Sequence, residues 1–223
     1  MTTENLPVLA ILGGTGDLGT GLARRWAQAG YEVIIGSRTL EKAEAAVADL
    51  REVMAERGVS EVTVQAMSNA DAAAAAEIVT LTVPFSHQVS TLESVRDALQ
   101  GKILIDVTVP LVPPRVARVQ LPPEGSAGQI AQELLGEEVA VVSAFQNVAA
   151  AHLQEGKGVE CDVLVSGNKK DARQQVIKLV EAAGMRGFHA GMINNAAAAE
   201  ALTSVLIAIN KQYGCHAGIK ISG

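Results

Sequence analysis

The stretch "AILGGTGDLGTGLARRWAQAG", residues 10–30, decides how the rest of the chain is read. An apolar run closes at Leu12. Gly14, Gly16 and Gly19 follow in G-x-G-x-x-G spacing, and a helical pattern runs from Leu18 to Ala29. In such a loop each glycine has a mechanical job. The spacing gives Gly14 the tight turn, Gly16 the close approach of backbone to a pyrophosphate, and Gly19 the packing of helix on strand. The first turn of the helix then presents unpaired N–H groups and a positive dipole end to an anion. Strand, loop, helix and next strand together imply a dinucleotide site.

The next strand carries the second signal. "VIIGSRTLEK", residues 33–42, supplies Gly36, Ser37 and Arg38 where a site for an unmodified ribose ends its strand in an acid. A carboxylate there would repel a phosphate on the 2′ oxygen. Ser37 can instead donate a hydrogen bond, Arg38 a charge-assisted fork, and Lys42, one helical turn on, a second positive charge. The missing acid therefore implies NADP in preference to NAD.

Outward from these motifs, apolar runs alternate with helical patterns. The runs are Val8–Leu12, Glu32–Ile35, Val62–Ala66, Ile78–Val83 and Ile103–Val107; the helices are Leu18–Ala29, Leu40–Arg57, a short Ala-rich turn, and Ser86–Leu99. This order predicts an α/β fold, a Rossmann-type parallel sheet with crossover helices. "PLVPPRVARVQLPPEG", residues 110–125, holds five prolines and reads as a loop. A helix near 126–135 and a strand near 139–142 complete an NADP-binding domain over residues 1–143. Residues 144–223 are expected to form a small C-terminal α/β segment, with a strand in "CDVLVSG", a helix near 169–183, a short strand near 185–189 and an Ala-rich helix near 194–210. That last helix is apolar on more than one side, which predicts burial nearly all round and a homodimer that provides it.

Composition excludes several classes. With 223 residues, 48% of them hydrophobic, and a formal net charge of −6, the chain is globular and has no basic tract for nucleic acid. The opening "MTTENLPVLAIL" has neither a charged leader nor a signal-length apolar core, so a cytoplasmic protein is expected. The apolar stretch 196–210 is too short for a membrane span and carries Glu200. Cys161 and Cys215 have neither metal-ligand nor redox spacing. His87, His152, His189 and His216 are scattered, and neither H-E-x-x-H nor G-x-S-x-G occurs.

Taken together, "ILGGTGDLGTGLARRWAQAGYEVIIGSRTLEKAEA", "LTVPFSHQVS", "VVSAFQNVAA" and the tail "YGCHAGIKISG" resemble the F420-dependent NADP oxidoreductases. That family passes a hydride between NADP(H) and the deazaflavin coenzyme F420. The resemblance implies that Thr15, Gly16, Asp17 and Leu18 line the pyrophosphate and that Ser37, Arg38 and Lys42 hold the 2′-phosphate. It implies that Val83, Pro84, His87, Val109 and Ala150 lie along the nicotinamide half, and that Ala217 meets F420. No catalytic acid or base is implied, since hydride transfer between two stacked rings asks chiefly for proximity and dryness. The chain departs from the family pattern at Gln146, where a His is expected, and at Ala149, where a Pro is expected. Two other readings stand beside this one. In one, NADPH reduces a flavin, a ferric chelate or a small imine or carbonyl; in the other, the chain is a non-catalytic NADP sensor.

Overall fold

The computed structural model describes residues 6–59, 61–155 and 158–223. Eight strands form one sheet in the order β3-β2-β1-β4-β5-β6-β7-β8. These are β1 (Leu9–Leu12), β2 (Val33–Ser37), β3 (Val64–Ser68), β4 (Ile78–Leu81), β5 (Ile103–Asp106), β6 (Ala140–Ser143), β7 (Asp162–Gly167) and β8 (Arg186–Gly191). The first six run parallel, as crossover helices require. They are α1 (Asp17–Gln28), α2 (Leu40–Glu56), α3 (Asn69–Ala75), α4 (Gln88–Val95) and α5 (Ala127–Leu135).

The parallel strands read as nearly continuous apolar runs because both faces are covered. Successive side chains divide between the faces. Leu9 and Ile11 of β1 join Val33, Ile35 and Val142 in one core with Trp26 of α1 and Leu50 of α2. Ala10 and Leu12 join Ile34, Leu81 and Val141 in the other, with Ala72 of α3, Leu92 of α4 and Ala131 of α5. Trp26 is fully buried, and its indole N–H donates to the Leu179 carbonyl at 2.9 Å. The first layer of the fold is thereby tied to the C-terminal part.

That part continues the same sheet. β7 runs antiparallel to β6 and overlaps it by only two residue pairs, Val142 with Gly167 and Ser143 with Ser166. Most of β7, beginning at Asp162, therefore stands beyond the carboxyl end of β6. α7 (Lys170–Ala182) crosses back to β8, which is parallel to β7, and α8 (Ala196–Tyr213) closes the regular structure. Gly214 takes φ 64° directly after it, the left-handed cap that ends a helix without steric cost.

Two expectations are corrected and one short helix is added. The helix read over 86–99 is broken: a 3-10 turn at Phe85–His87, then α4, then a second 3-10 turn at Asp97–Leu99. A further short helix, α6 (Ala150–Gln154), opens at the alanine run. α8 extends to Tyr213, and within this chain its burial is one-sided: Ala196, Ala199, Glu200, Ser204 and Leu206 are buried, whereas Val205 and Tyr213 are exposed.

Candidate active site

The strand order reverses at β1, between β2 and β4, and the crevice at the carboxyl ends of these strands is where open α/β sheets take ligands. The loop after β1 and the loop after β4 meet there. Gly13 adopts φ 67°, and a Cβ on it would come within 2.5 Å of Val83 Cγ1. The tight turn thus belongs to Gly13, one residue earlier than the spacing assigns it. Gly14 serves close packing instead: a Cβ on Gly19 would stand 2.7 Å from Gly14 Cα. Gly16 opens α1 as its N-cap, with no side chain to cap the helix and nothing within 4 Å of where a Cβ would be. The N–H groups of Asp17, Leu18 and Gly19 have no partner within the helix, which leaves three donors around an open cradle. That cradle fits a pyrophosphate.

A pocket of about 330 Å³ extends from this cradle. It is lined by Thr15 and Gly16 after β1, Ser37, Arg38 and Lys42 at and after the end of β2, and Val83, Pro84 and His87 after β4. Ser37 is buried, and its Oγ accepts the Thr39 N–H at 3.2 Å, which leaves the hydroxyl hydrogen free to donate. Arg38 and Lys42 are exposed, and neither makes a salt bridge within the described residues. Two cations and a hydroxyl line this pocket with no carboxylate beside them, the donor set a dianion requires. His87 sits at the end of its 3-10 turn, with its N–H bonded to the Pro84 carbonyl at 2.8 Å.

The remaining expected residues do not line this pocket. Gly14 and Gly19 are buried beneath the cradle. Leu18 packs against the core. Asp17 lines an adjoining hollow that shares Thr15 and Lys42 with the pocket. Val109 follows β5 and is half-buried, and Ala150 begins α6. Ala217 lies in the C-terminal tail, its N–H donated to Asn210 Oδ1 at 2.6 Å.

α6 is clamped to the helix that carries the cradle. The buried Arg25 of α1 donates to the Leu153 carbonyl at 3.0 Å and the His152 carbonyl at 2.8 Å. Its partners are carbonyls at the negative end of α6 and include no carboxylate. Burial, with the nearby Arg57 cation, holds its pKa below the usual arginine value. Gln154 Nε2 donates to the Asp17 carbonyl at 2.6 Å, and Leu153 fits where Gly21 has no side chain. Ala150 is thereby fixed relative to the cradle.

Gln146 is buried. Its Nε2 donates to the Asp106 carbonyl and to Ser143 Oγ, both at 2.8 Å, so it braces β5 to β6. Phe145 beside it takes φ 72°, unusual for a bulky side chain, and turns the chain out of β6 toward α6. Ala149 has φ −73°, inside the range a proline would impose, so the alanine leaves that backbone path unchanged. Asn147 and Thr203 stitch this segment to α8 through bonds from Asn147 Nδ2 to the Ala199 carbonyl and from Thr203 Oγ1 to the Gln146 carbonyl.

Two buried acids stand behind the site. Asp106 accepts from Gln88 Nε2 at 2.5 Å and from the Thr108 N–H, and burial pushes its carboxyl up. Glu200, 1% exposed, reaches from α8 to the first turn of α5 and accepts from the Ala127 N–H at 2.7 Å and the Gly128 N–H at 3.0 Å. Burial raises its pKa to about 8 against the pull of those two donors, with the Asp106 charge adding to the rise. Sequence reading missed both, since nothing in the spacing of Gln88, Asp106 and Glu200 brings them together.

The fold is Rossmann-type, and the pocket suits a 2′-phosphorylated dinucleotide. Residues 8–110 match the family described as NADP oxidoreductase, coenzyme F420-dependent. The chain is 40% identical over 210 residues to the F420-dependent NADP reductase of Methanocaldococcus jannaschii, covering 92% of this chain and 93% of that one. It is 41% identical over 221 residues to the enzyme of the same name from Methanothermobacter thermautotrophicus, covering 96% and 94%. A crystal structure from Arthrobacter sp. FB24, given the provisional description of an F420-dependent NADP-reductase, superposes with a TM-score of 0.82 at 28% identity, over 98% of this chain and 100% of that one. The chain belongs to the F420-dependent NADP reductase family.

Proposed function

We propose that this protein transfers a hydride between NADP(H) and coenzyme F420. The observation that carries the proposal is the single pocket that joins Ser37, Arg38 and Lys42 to Val83, Pro84 and His87 across the glycine cradle. In this reading the cradle N–H groups hold the pyrophosphate, and Ser37, Arg38 and Lys42 hold the 2′-phosphate. The loop at Val83–His87, with Val109 and Ala150, seats the nicotinamide. The hydride chemistry itself belongs to the bound rings. The chain's share is orientation and exclusion of water, and no side chain has to move a proton to the nicotinamide.

F420 enters on the side of α6 and the C-terminal tail, the part formed by residues 144–223. Ala217 meets it through its methyl or carbonyl, because its N–H is already bonded to Asn210. Homodimerisation and a cytoplasmic setting complete the proposal. The half-exposed apolar side of α8 supports the first, and the second follows from the cofactors being soluble metabolites.

Mixing purified protein with NADPH and oxidised F420 tests the reading through loss of the F420 visible absorbance. Rapid bleaching is expected with NADPH and much slower bleaching with NADH. Arg38→Ala is expected to weaken NADPH by about tenfold, the value of one exposed charge-assisted contact, and to leave NADH nearly unchanged. NADPH binding without bleaching would refute the F420 assignment.

A further inference from the structure

The adenosine end of the pocket contains a residue that the glycine and Ser-Arg motifs do not include. Asn69 is the first residue of α3, directly after β3, and is only 8% exposed, yet it lines the pocket beside Gly13, Ser37 and Arg38. Its Oδ1 accepts the Gly13 N–H at 3.2 Å. The side chain therefore crosses over the end of β2 to hold the turn that follows β1.

Room for that crossing comes from Gly36. A Cβ there would stand 3.0 Å from Asn69 Oδ1 and 3.2 Å from the Ile11 carbonyl, tighter than ordinary contact. The Gly36-Ser37-Arg38 run thus has a second consequence. It removes the acid at the end of β2, and it opens a lane through which an amide from the start of α3 reaches the same place.

An asparagine amide has an acceptor oxygen and two donor hydrogens. The oxygen is committed to Gly13. Among the described residues Nδ2 donates to no protein acceptor, nor is it sealed away from solvent as an unpaired buried atom. Asn69 lines the same pocket as Ser37, Arg38 and Lys42.

We infer that Asn69 is a specificity-determining residue. Its Oδ1 fixes the glycine turn, while its Nδ2 donates to the ribose bearing the 2′-phosphate, adding a neutral donor to the cations of Arg38 and Lys42. This inference rests on the reading of the pocket as the NADP(H) site.

Asn69→Asp separates the two roles. The aspartate keeps an oxygen for the Gly13 N–H and is well tolerated in the first turn of a helix. It replaces the donor with a negative charge that repels a 2′-phosphate and can accept from a free 2′-hydroxyl. Binding is measured directly, for NADPH against NADH and for 2′,5′-ADP against ADP, with no F420 present. The expected result is an NADPH affinity lowered at least tenfold, the same loss for 2′,5′-ADP, and NADH and ADP unchanged or tighter. Asn69→Ala, which removes both bonds, should weaken NADPH and NADH together.

Equal loss for the phosphorylated and unphosphorylated ligands in Asn69→Asp would reduce Asn69 to a loop brace and overturn the inference, as would no change in either. If the unaltered protein bound NADPH and NADH equally, the pocket reading would fail first and take this inference with it.

Discussion

At the scale of single residues, Glu200 carries the sharpest pH signature. Its folded pKa of about 8 lies above the ordinary 4.5, so the folded chain keeps a proton that the unfolded chain releases. Stability from this group is fully present below the unfolded value and declines as pH rises toward about 8. Asp106, also raised, acts in the same direction. Urea unfolding between pH 5.5 and 8 should therefore show falling stability, at most about 1.4 kcal/mol per pH unit for one retained proton. Glu200→Gln should flatten that decline while costing about 1 kcal/mol at low pH, because the amide can accept only one of the two α5 N–H groups. An unchanged slope in the variant would show that Glu200 does not titrate there. The residues of the cradle and of Ser37-Arg38 were legible in the sequence because their spacing is local to one strand–turn–helix unit. Asn69, Gln88 and Glu200 were not, because each acts on a partner more than 15 residues away along the chain.

At the scale of elements, the parallel strands and crossover helices were legible from hydrophobic periodicity, and the C-terminal tail was not. The tail has no regular structure to leave a pattern, yet Asp162 holds it firmly. The buried Asp162 carboxylate accepts from Arg186 Nε at 2.9 Å, Arg186 Nη2 at 2.6 Å and the Ile221 N–H at 2.6 Å. Its own N–H donates to the Ile219 carbonyl at 2.9 Å. The Arg186 hydrogen bonds, opposed by burial and aided by the Ile221 N–H, keep its pKa at about 2. A depressed acid contributes stability above its unfolded pKa and loses it as pH falls through the folded one, so the tail should stay docked down to about pH 2. Asp162→Asn removes the charge and one acceptor oxygen without changing shape. Because the tail carries Ala217, the variant should raise the KM for F420 by roughly tenfold, the cost of one hydrogen bond to a charged group. NADPH affinity, set by the glycine cradle, should stay within about twofold. Equal losses for both substrates would mean that the tail supports the whole fold and not the F420 side alone. α6 was hidden for a different reason: five residues are too few to show a period, and what holds it in place is distant in sequence, Arg25 of α1 bonding its carbonyls and its own Gln154 bonding the Asp17 carbonyl.

At the scale of the whole molecule, the question is what covers the outer side of α8. Its inner side is held by the Glu200 and Asn147 bonds. The outer side presents Leu202, Val205 and Ile209, spaced three and four residues apart and so aligned on one stripe, with Val205 44% exposed and Tyr213 76% exposed beyond them. Ser204 Oγ donates to the Arg118 carbonyl, which sets the proline loop beside this stripe, and that loop adds exposed Val112, Val119 and Leu121. Scattered apolar side chains need no explanation, but a stripe on one helix continued by a neighbouring loop is the pattern of a buried interface. A second copy of the chain is the natural cover, since one stripe on a two-fold axis can bury itself against its own image. Sedimentation at micromolar concentration should give twice the mass of the chain. Val205→Glu should shift it toward the monomer by placing a charge at the centre of the interface, with NADPH affinity retained because no residue of α8 lines the pocket. A monomer in the unaltered protein would refute the dimer and leave the stripe to the F420 side of the site.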